Sequence, residues 1–194
     1  MKKELQNKTV RKLMNVAFEA SVTISMKFLE EYPTKELPLG IIIIKPDGDF
    51  LPLAVGGLTE NWEHRRKILY DIGKTLREKN VLLIGFIMFA ESWMSMWTIK
   101  GDEKTEMVRP SEDPDRKECI VITAKDIFGK SRGYMKIISR NGNKVEFTDV
   151  SNSEVLKGMN KWCSVGDHEL ELRAGLLDEL FLGYMAAGGI KFSS

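Results

Sequence analysis

The longest apolar run of the chain extends from Val81 to Ala90 and constrains the fold more than any other segment. It has the length of one buried strand and falls short of the roughly 18 apolar residues that a membrane-spanning helix needs. The alternating pattern continues to Trp97. We therefore predict a long central strand over residues 81–97 in a sheet that has to be covered by other elements.

Residues 9–31 place apolar side chains at three- and four-residue steps, which predicts a long amphipathic helix. Thr9 is the candidate N-cap. The Tyr32-Pro33 step predicts the helix end, because a residue before proline avoids the helical conformation. Five basic residues near the start oppose the helix dipole and predict a frayed beginning, with a basic arm for a partner as the alternative: Lys2, Lys3, Lys8, Arg11 and Lys12.

Residues 40–55 have the pattern of a β-hairpin. The β-branched run Ile41–Ile44 is typical of a strand covered on both faces. The turn Lys45-Pro46-Asp47-Gly48 has proline and glycine where a type I turn favours them. Pro52 cannot donate a ladder hydrogen bond, so the returning strand is expected at an edge or at a bulge.

The remaining segments continue this alternation of helices and strands. A helix is predicted over 59–80, strands over 118–125, 132–139 and 144–150, a capping box at Ser151, and a last helix after Asp167. The order predicts an α/β (α+β) fold. Its central mixed or antiparallel sheet would carry the long N-terminal helix, a second helix and a C-terminal helical segment. The length suits a single domain, 1–194, with a possible division into a core unit, 8–126, and a C-terminal unit, 127–194.

Composition narrows the class of protein. The formal net charge is +1 and there are two cysteines and two histidines. Cysteine is too scarce for a disulfide-dependent secreted domain, and the N-terminus lacks the pattern of a signal peptide. No histidine has a second ligand at metal-binding spacing. We expect a soluble cytoplasmic protein with no cofactor, no metal site and no membrane contact.

Glu91 is the candidate catalytic residue. Strand alternation places Phe89, Glu91, Trp93 and Trp97 on one face, so a carboxylate would lie among aromatic rings. Such a carboxylate is costly to ionise unless it is paired, and an acid with a shifted pKa in a cleft is a functional candidate. Arg109 or Arg116 in the following loop is the natural partner, and the alternative is a structural Glu–Arg bridge.

The loop that follows this strand is rich in groups that bind ions. Its carboxylates suit a hard cation such as Mg²⁺ or Ca²⁺, although the spacing is not that of a calcium loop. Two prolines favour the alternative, which is a rigid surface turn. The candidate binding residues are Trp93, Arg109, Ser111, Glu112, Asp113, Asp115 and Arg116.

Two resemblances accompany these residues. Glu91-Ser92-Trp93-Met94 together with the segment 109–118 resembles conserved hypothetical proteins of microbes over about residues 10–125, which implies that the two segments belong together. The order helix, hairpin, helix, strand resembles the JAB/MPN and cytidine-deaminase-like folds. Those families bind zinc through closely spaced ligands that this sequence lacks, so the resemblance implies element order without zinc chemistry.

Three functions are compatible with the sequence. The first is a non-catalytic binding or interaction module, with a homo-oligomer as its simplest form. The second is a hydrolase that uses Glu91, with Arg109 or Arg116 holding an anionic substrate and a divalent cation as a possible aid. The third, nucleic-acid binding, would use the basic hairpin over residues 125–144, which holds six basic residues and one acid. Net charge near zero makes that third function the weakest.

Overall fold

The computed structural model describes residues 2–55, 62–94, 114–149 and 168–187, with side chains over 8–55, 63–93, 114–149 and 178–187. The elements, in chain order, are α1 (Lys2–Glu31), β1 (Gly40–Ile44), β2 (Phe50–Ala54), α2 (Trp62–Glu78), β3 (Gly85–Met94), β4 (Lys117–Asp126), β5 (Ser131–Asn141), β6 (Lys144–Asp149) and α3 (His168–Ala187). The fold is α+β, as predicted.

The six strands form one sheet in the order β2-β1-β3-β4-β5-β6. Every neighbouring pair is antiparallel, so the antiparallel form of the predicted sheet is confirmed. β3 lies in the interior of the sheet, between β1 and β4, where the apolar run of the sequence had placed it. Consecutive strands are paired with the exception of β2 and β3. After the chain has passed through α2, β3 pairs with β1 instead.

Both faces of the sheet are buried, and strand alternation decides which residue meets which helix. Ile87 of β3 packs in a cluster with α1, together with Ile120 and Ile122 of β4. Phe86 and Met88, on the opposite face of β3, pack with Leu69 of α2 and Leu180 of α3. The molecule therefore has three layers: α1, the sheet, and the pair α2–α3.

Helices α2 and α3 approach each other closely at two glycines. A Cβ added at Gly73 would overlap the carbonyl oxygen of Leu180, and one added at Gly183 would overlap the carbonyl oxygen of Tyr70. The pair is also tied by an ion pair between Arg66 and Glu179. The glycines are what permit this backbone contact, since any side chain at either position would separate the two helices.

Two predicted element starts, those of α1 and β3, differ from the observed ones by four residues or more. Helix α1 begins at Lys2, so Thr9 lies within the helix and does not cap it, whereas the predicted end at residue 31 is correct. Strand β3 begins at Gly85, because residues 81–84 form the connection in which Val81 N–H bonds to Leu76 and Ile84 N–H bonds to Ile44. Its predicted extension beyond Met94 and the Ser151 capping box lie outside the described residues.

The predicted first hairpin is confirmed. Its turn is closed by a 3.1 Å hydrogen bond from Gly48 N–H to the Lys45 carbonyl, and Gly48 has the positive φ of 91° that favours glycine. Pro52 lies opposite Ile42 in β2, which is an edge strand. Within the described residues, no helix combines the length and the apolar content needed to cross a membrane.

The glycine contact between α2 and α3 yields a stability prediction. Gly73→Ala should lower the free energy of unfolding by about 2 kcal/mol, because forced overpacking exceeds the gain in helix propensity. Gly133→Ala in β5 is the matched control, since a Cβ there meets nothing within 4 Å. Urea unfolding of both variants measures the difference. Equal stabilities for the two variants would contradict the close packing of the helices.

Candidate functional site

Glu91 lies in a cluster of charged side chains from three adjacent strands. Its carboxylate oxygen Oε1 is 2.6 Å from Nη2 of Arg140 on β5. Nε of Arg140 lies 3.0 Å from the carboxylate of Glu118 on β4. A single guanidinium therefore binds two carboxylates, and only 9% of the Glu91 side chain is exposed. We call Glu91, Glu118 and Arg140 the acid–arginine cluster.

The acid–arginine cluster also holds the connection between α1 and β1. The third guanidinium nitrogen, Nη1 of Arg140, donates to the carbonyl oxygen of Pro33. The Glu91 carboxylate accepts a hydrogen bond from the backbone N–H of Leu37. Leu37 is itself buried in the core beside α1. The cluster thus fixes residues 33–37 to the end of the sheet, which is a structural role that Glu91 and Arg140 share.

In the acid–arginine cluster two carboxylates share the positive charge of one guanidinium. Burial raises the pKa of the Glu91 carboxyl above its ordinary value, and the neighbouring Glu118 raises it further. The Leu37 N–H and the Arg140 guanidinium oppose this rise in the pKa. A buried carboxyl with a raised pKa is typical of a general acid. Here, however, the carboxylate is already occupied by Arg140 and Leu37.

Trp93 and Arg116 form a second contact at the same end of the sheet. The Arg116 guanidinium lies 4.4 Å from the centre of the Trp93 ring, and 46% of Trp93 is exposed. The Arg116 side chain thus stacks on Trp93, and the ion-pair partner of Glu91 is Arg140. Asp115 is exposed. The other candidate residues, Arg109, Ser111, Glu112 and Asp113, lie outside the described residues, as does Trp97.

Metal binding finds no support in the part of the chain that the structure describes. No group of three histidine, cysteine, aspartate or glutamate side chains comes together there. Glu91 and Glu118 are two carboxylates that already share the positive charge of Arg140. That charge occupies the place where a cation would have to bind.

A cleft of about 450 Å³ opens at the opposite end of the sheet, between the N-terminal half of α1 and the β4–β5 turn. This volume lies within the usual range for small-molecule sites. The buried residues Met14, Phe18 and Ala124 form its apolar floor. Polar and charged side chains form the rim: Arg11, Asn15, Glu19, Asp126, Lys130, Ser131 and Arg132. We call this the α1–hairpin cleft.

The three cations of the cleft differ in their partners. Arg132 stacks on Phe18 at 4.4 Å and lies 3.3 Å from the side-chain oxygen of Asn15 and 3.8 Å from that of Glu19. Arg11 and Lys130 are exposed, and the described residues offer no ion pair to either side chain. Two positive charges at the rim therefore remain available to a ligand.

The two acidic side chains of the cleft are either hydrogen-bonded within the turn or exposed to solvent. Asp126 is buried, and its Oδ1 accepts 2.9 Å hydrogen bonds from the N–H groups of Phe128 and Lys130. These donors offset its charge within the turn. Glu19 lies at the rim with 71% of its side chain exposed. The cleft as a whole therefore favours an anion over a cation.

The basic hairpin of the sequence analysis is largely neutralised by the fold. Lys125 pairs with Asp178 of α3, and Lys136 lies 3.2 Å from Asp149 of β6. Arg140 belongs to the acid–arginine cluster and Arg132 to the cleft. These side chains point to both faces of the sheet and to different partners, so they form no continuous surface for a phosphate backbone.

The two walls of the cleft come from basic segments that lie far apart in the sequence. Arg11 belongs to the basic start of the first helix and Arg132 to the basic hairpin. Only the packing of α1 on β4 and β5 brings them to one cleft. The sequence signal that could have pointed to the cleft was the presence of two basic segments in a chain whose net charge is close to zero.

Comparison of the chain with family models, curated proteins and solved structures finds no match. The resemblance to conserved hypothetical proteins of microbes therefore stays a prediction. The geometry of the chain itself is what bears on its function.

The acid–arginine cluster predicts a pH-dependent stability. Folding raises the pKa of Glu91. Its stabilising contribution to the folded state is therefore fully present below its ordinary pKa of 4.5 and is lost as the pH rises through the raised pKa. Arg140→Leu leaves Glu91 and Glu118 without their counter-charge. We expect it to cost about 3 kcal/mol at pH 7 and clearly less at pH 4.5, as measured by urea unfolding.

Two further variants separate this cluster from a general effect of charge. Lys144→Leu, at the exposed start of β6, should change stability by less than about 0.5 kcal/mol at either pH. Glu91→Gln combined with Arg140→Leu should cost less than the sum of the single changes, because the uncompensated acid has been removed. A loss for Arg140→Leu that is the same at both pH values would refute the assignment.

Proposed function

We propose that this protein is a non-catalytic binding module and that the α1–hairpin cleft is its ligand site. One observation carries the proposal. The cleft combines a volume of about 450 Å³, a buried apolar floor and two rim cations, Arg11 and Lys130, that form no ion pair with the residues that the structure describes. Small-molecule sites are concave and combine apolar surface with polar groups that orient the ligand.

The hydrolase alternative rests on Glu91, and its environment weakens it. A general acid has to lie within hydrogen-bond reach of the substrate. The Glu91 carboxylate is bound to Arg140 and Leu37 and is almost wholly buried. A substrate would have to displace the contacts that hold the α1–β1 connection. The raised pKa of Glu91 still favours acid chemistry, so the experiment below includes a test for hydrolysis.

Nucleic-acid binding stays the weakest alternative. Affinity for a phosphate backbone requires several cations that release counterions together. In the 125–144 hairpin, Lys125, Lys136 and Arg140 have acidic partners within the fold. A small ligand needs only the two or three charges that the cleft provides.

A thermal-shift screen of small molecules tests the proposal on the full chain. A ligand at 100 times its dissociation constant adds about 2.7 kcal/mol to stability, which moves the melting temperature by several degrees. Asn15→Trp places a large side chain at the rim of the cleft and should abolish the shifts. Ile24→Trp, at an exposed position further along α1 and on the opposite side of the helix from Asn15, is the matched control and should retain them.

Two outcomes would overturn the proposal. Ligands whose shifts survive Asn15→Trp would bind elsewhere. Hydrolysis of generic ester or phosphomonoester substrates that is lost in Glu91→Gln, in a variant that remains folded, would establish the enzyme alternative instead.

A further inference from the structure

We propose that the ligand of the α1–hairpin cleft carries an anionic head, a phosphate or a carboxylate, on a small apolar or aromatic body. This inference rests on the binding function proposed above and names the chemistry of its ligand. It combines three features of the cleft: which charges are available, where the acids are directed, and what forms the floor.

The available charge is positive. Arg11 contributes from α1, and Lys130 from the β4–β5 turn on the other side of the cleft. An anion between them would be approached by cations from two separate elements. Arginine and lysine bound to phosphate or carboxylate make charge-assisted hydrogen bonds, which are the stronger class. The negative charge of Asp126 is partly offset, because its carboxylate accepts hydrogen bonds from two backbone N–H groups of its own turn.

Arg132 has a different part in the cleft. Its guanidinium lies against the Phe18 ring and is oriented by Asn15 and Glu19. The guanidinium carbon lies 4.4 Å from the centre of that ring, and guanidinium groups also stack on planar groups of ligands. Arg132 thus favours an aromatic body beside the anionic head.

The floor accounts for the apolar part of the ligand. Met14, Phe18 and Ala124 close the cleft from below, and each is buried in the core that α1 shares with the sheet. Only 2–7% of each of these residues is exposed, so the apolar area that a ligand can cover at the floor is small. A ligand with an apolar body would cover it, and the free energy of that burial adds to the charge interaction.

The test uses four probes on the full chain by isothermal titration: phenyl phosphate, benzoate, inorganic phosphate and benzyl alcohol. Phenyl phosphate and benzoate separate the two sources of the anionic head. Inorganic phosphate lacks the body, and benzyl alcohol lacks the charge. We expect the aromatic anions to bind at least about 10-fold more tightly than either incomplete probe, with affinity falling as salt is raised.

Charge variants locate the head group. Arg11→Gln and Lys130→Gln should each weaken the aromatic anion by about 5-fold, as expected for a partly exposed ion pair. Lys27→Gln removes an equal charge from an exposed position of α1 outside the cleft and should leave the affinity unchanged. If all three variants weakened binding of the aromatic anion equally, the loss of affinity would follow from net charge alone, and the inference would be overturned.

The outcomes also separate this inference from the proposed function. Benzyl alcohol binding that is blocked by Asn15→Trp, without binding of any anion, would refute the anionic ligand and retain the cleft as a site. Anion binding that is insensitive to Asn15→Trp would refute both. Binding of inorganic phosphate as tight as that of phenyl phosphate would refute the apolar body.

Discussion

The structure depends on the need to cover a sheet that is apolar on both faces. β3 carries Phe86 and Met88 on one side and Ile87 and Phe89 on the other, so neither face can be left to water. The helix pair α2–α3 covers the face of Phe86 and Met88, and the long helix α1 covers the face of Ile87 and Phe89. The pair can act as one unit because Gly73 and Gly183 let the two backbones touch. The acid–arginine cluster lies near the C-terminal end of α1, and the α1–hairpin cleft lies beside its N-terminal half.

Those two regions use arginine for opposite purposes. Near the C-terminal end of α1, all three nitrogens of the Arg140 guanidinium have partners. They bind Glu91, Glu118 and the Pro33 carbonyl and so fix the connection that follows the helix. At the N-terminal half, Arg11 forms no ion pair with any described residue, and Arg132 lies against Phe18 at the edge of an open cleft. Where the fold has compensated a buried charge, removal of its partner is strongly destabilising. A charge that the fold leaves at a concave surface is available to a ligand.

The sequence predicted the elements well because periodicity and turn chemistry are local. The 3.6-residue period of α1, the Tyr32-Pro33 stop and the turn from Lys45 to Gly48 needed only neighbouring residues, and alternation correctly placed Glu91 beside Trp93 on one face. The partner of Glu91 was beyond reach. Arg116 was closer in sequence, whereas Arg140 reaches Glu91 only through the register of β3, β4 and β5. The cleft was missed for the same reason, since its two walls are separated by more than a hundred residues.

The place of Pro52 in the edge strand has a consequence for how copies of this chain meet. An edge strand with a full row of N–H donors can pair with another edge and extend the sheet from molecule to molecule. β2 is only five residues long, and Pro52 opposite Ile42 removes a donor from its centre. Any register that a second β2 could adopt would lose hydrogen bonds there. Aggregation by strand addition is therefore discouraged along β2 by one backbone atom, independently of the charge on the surface.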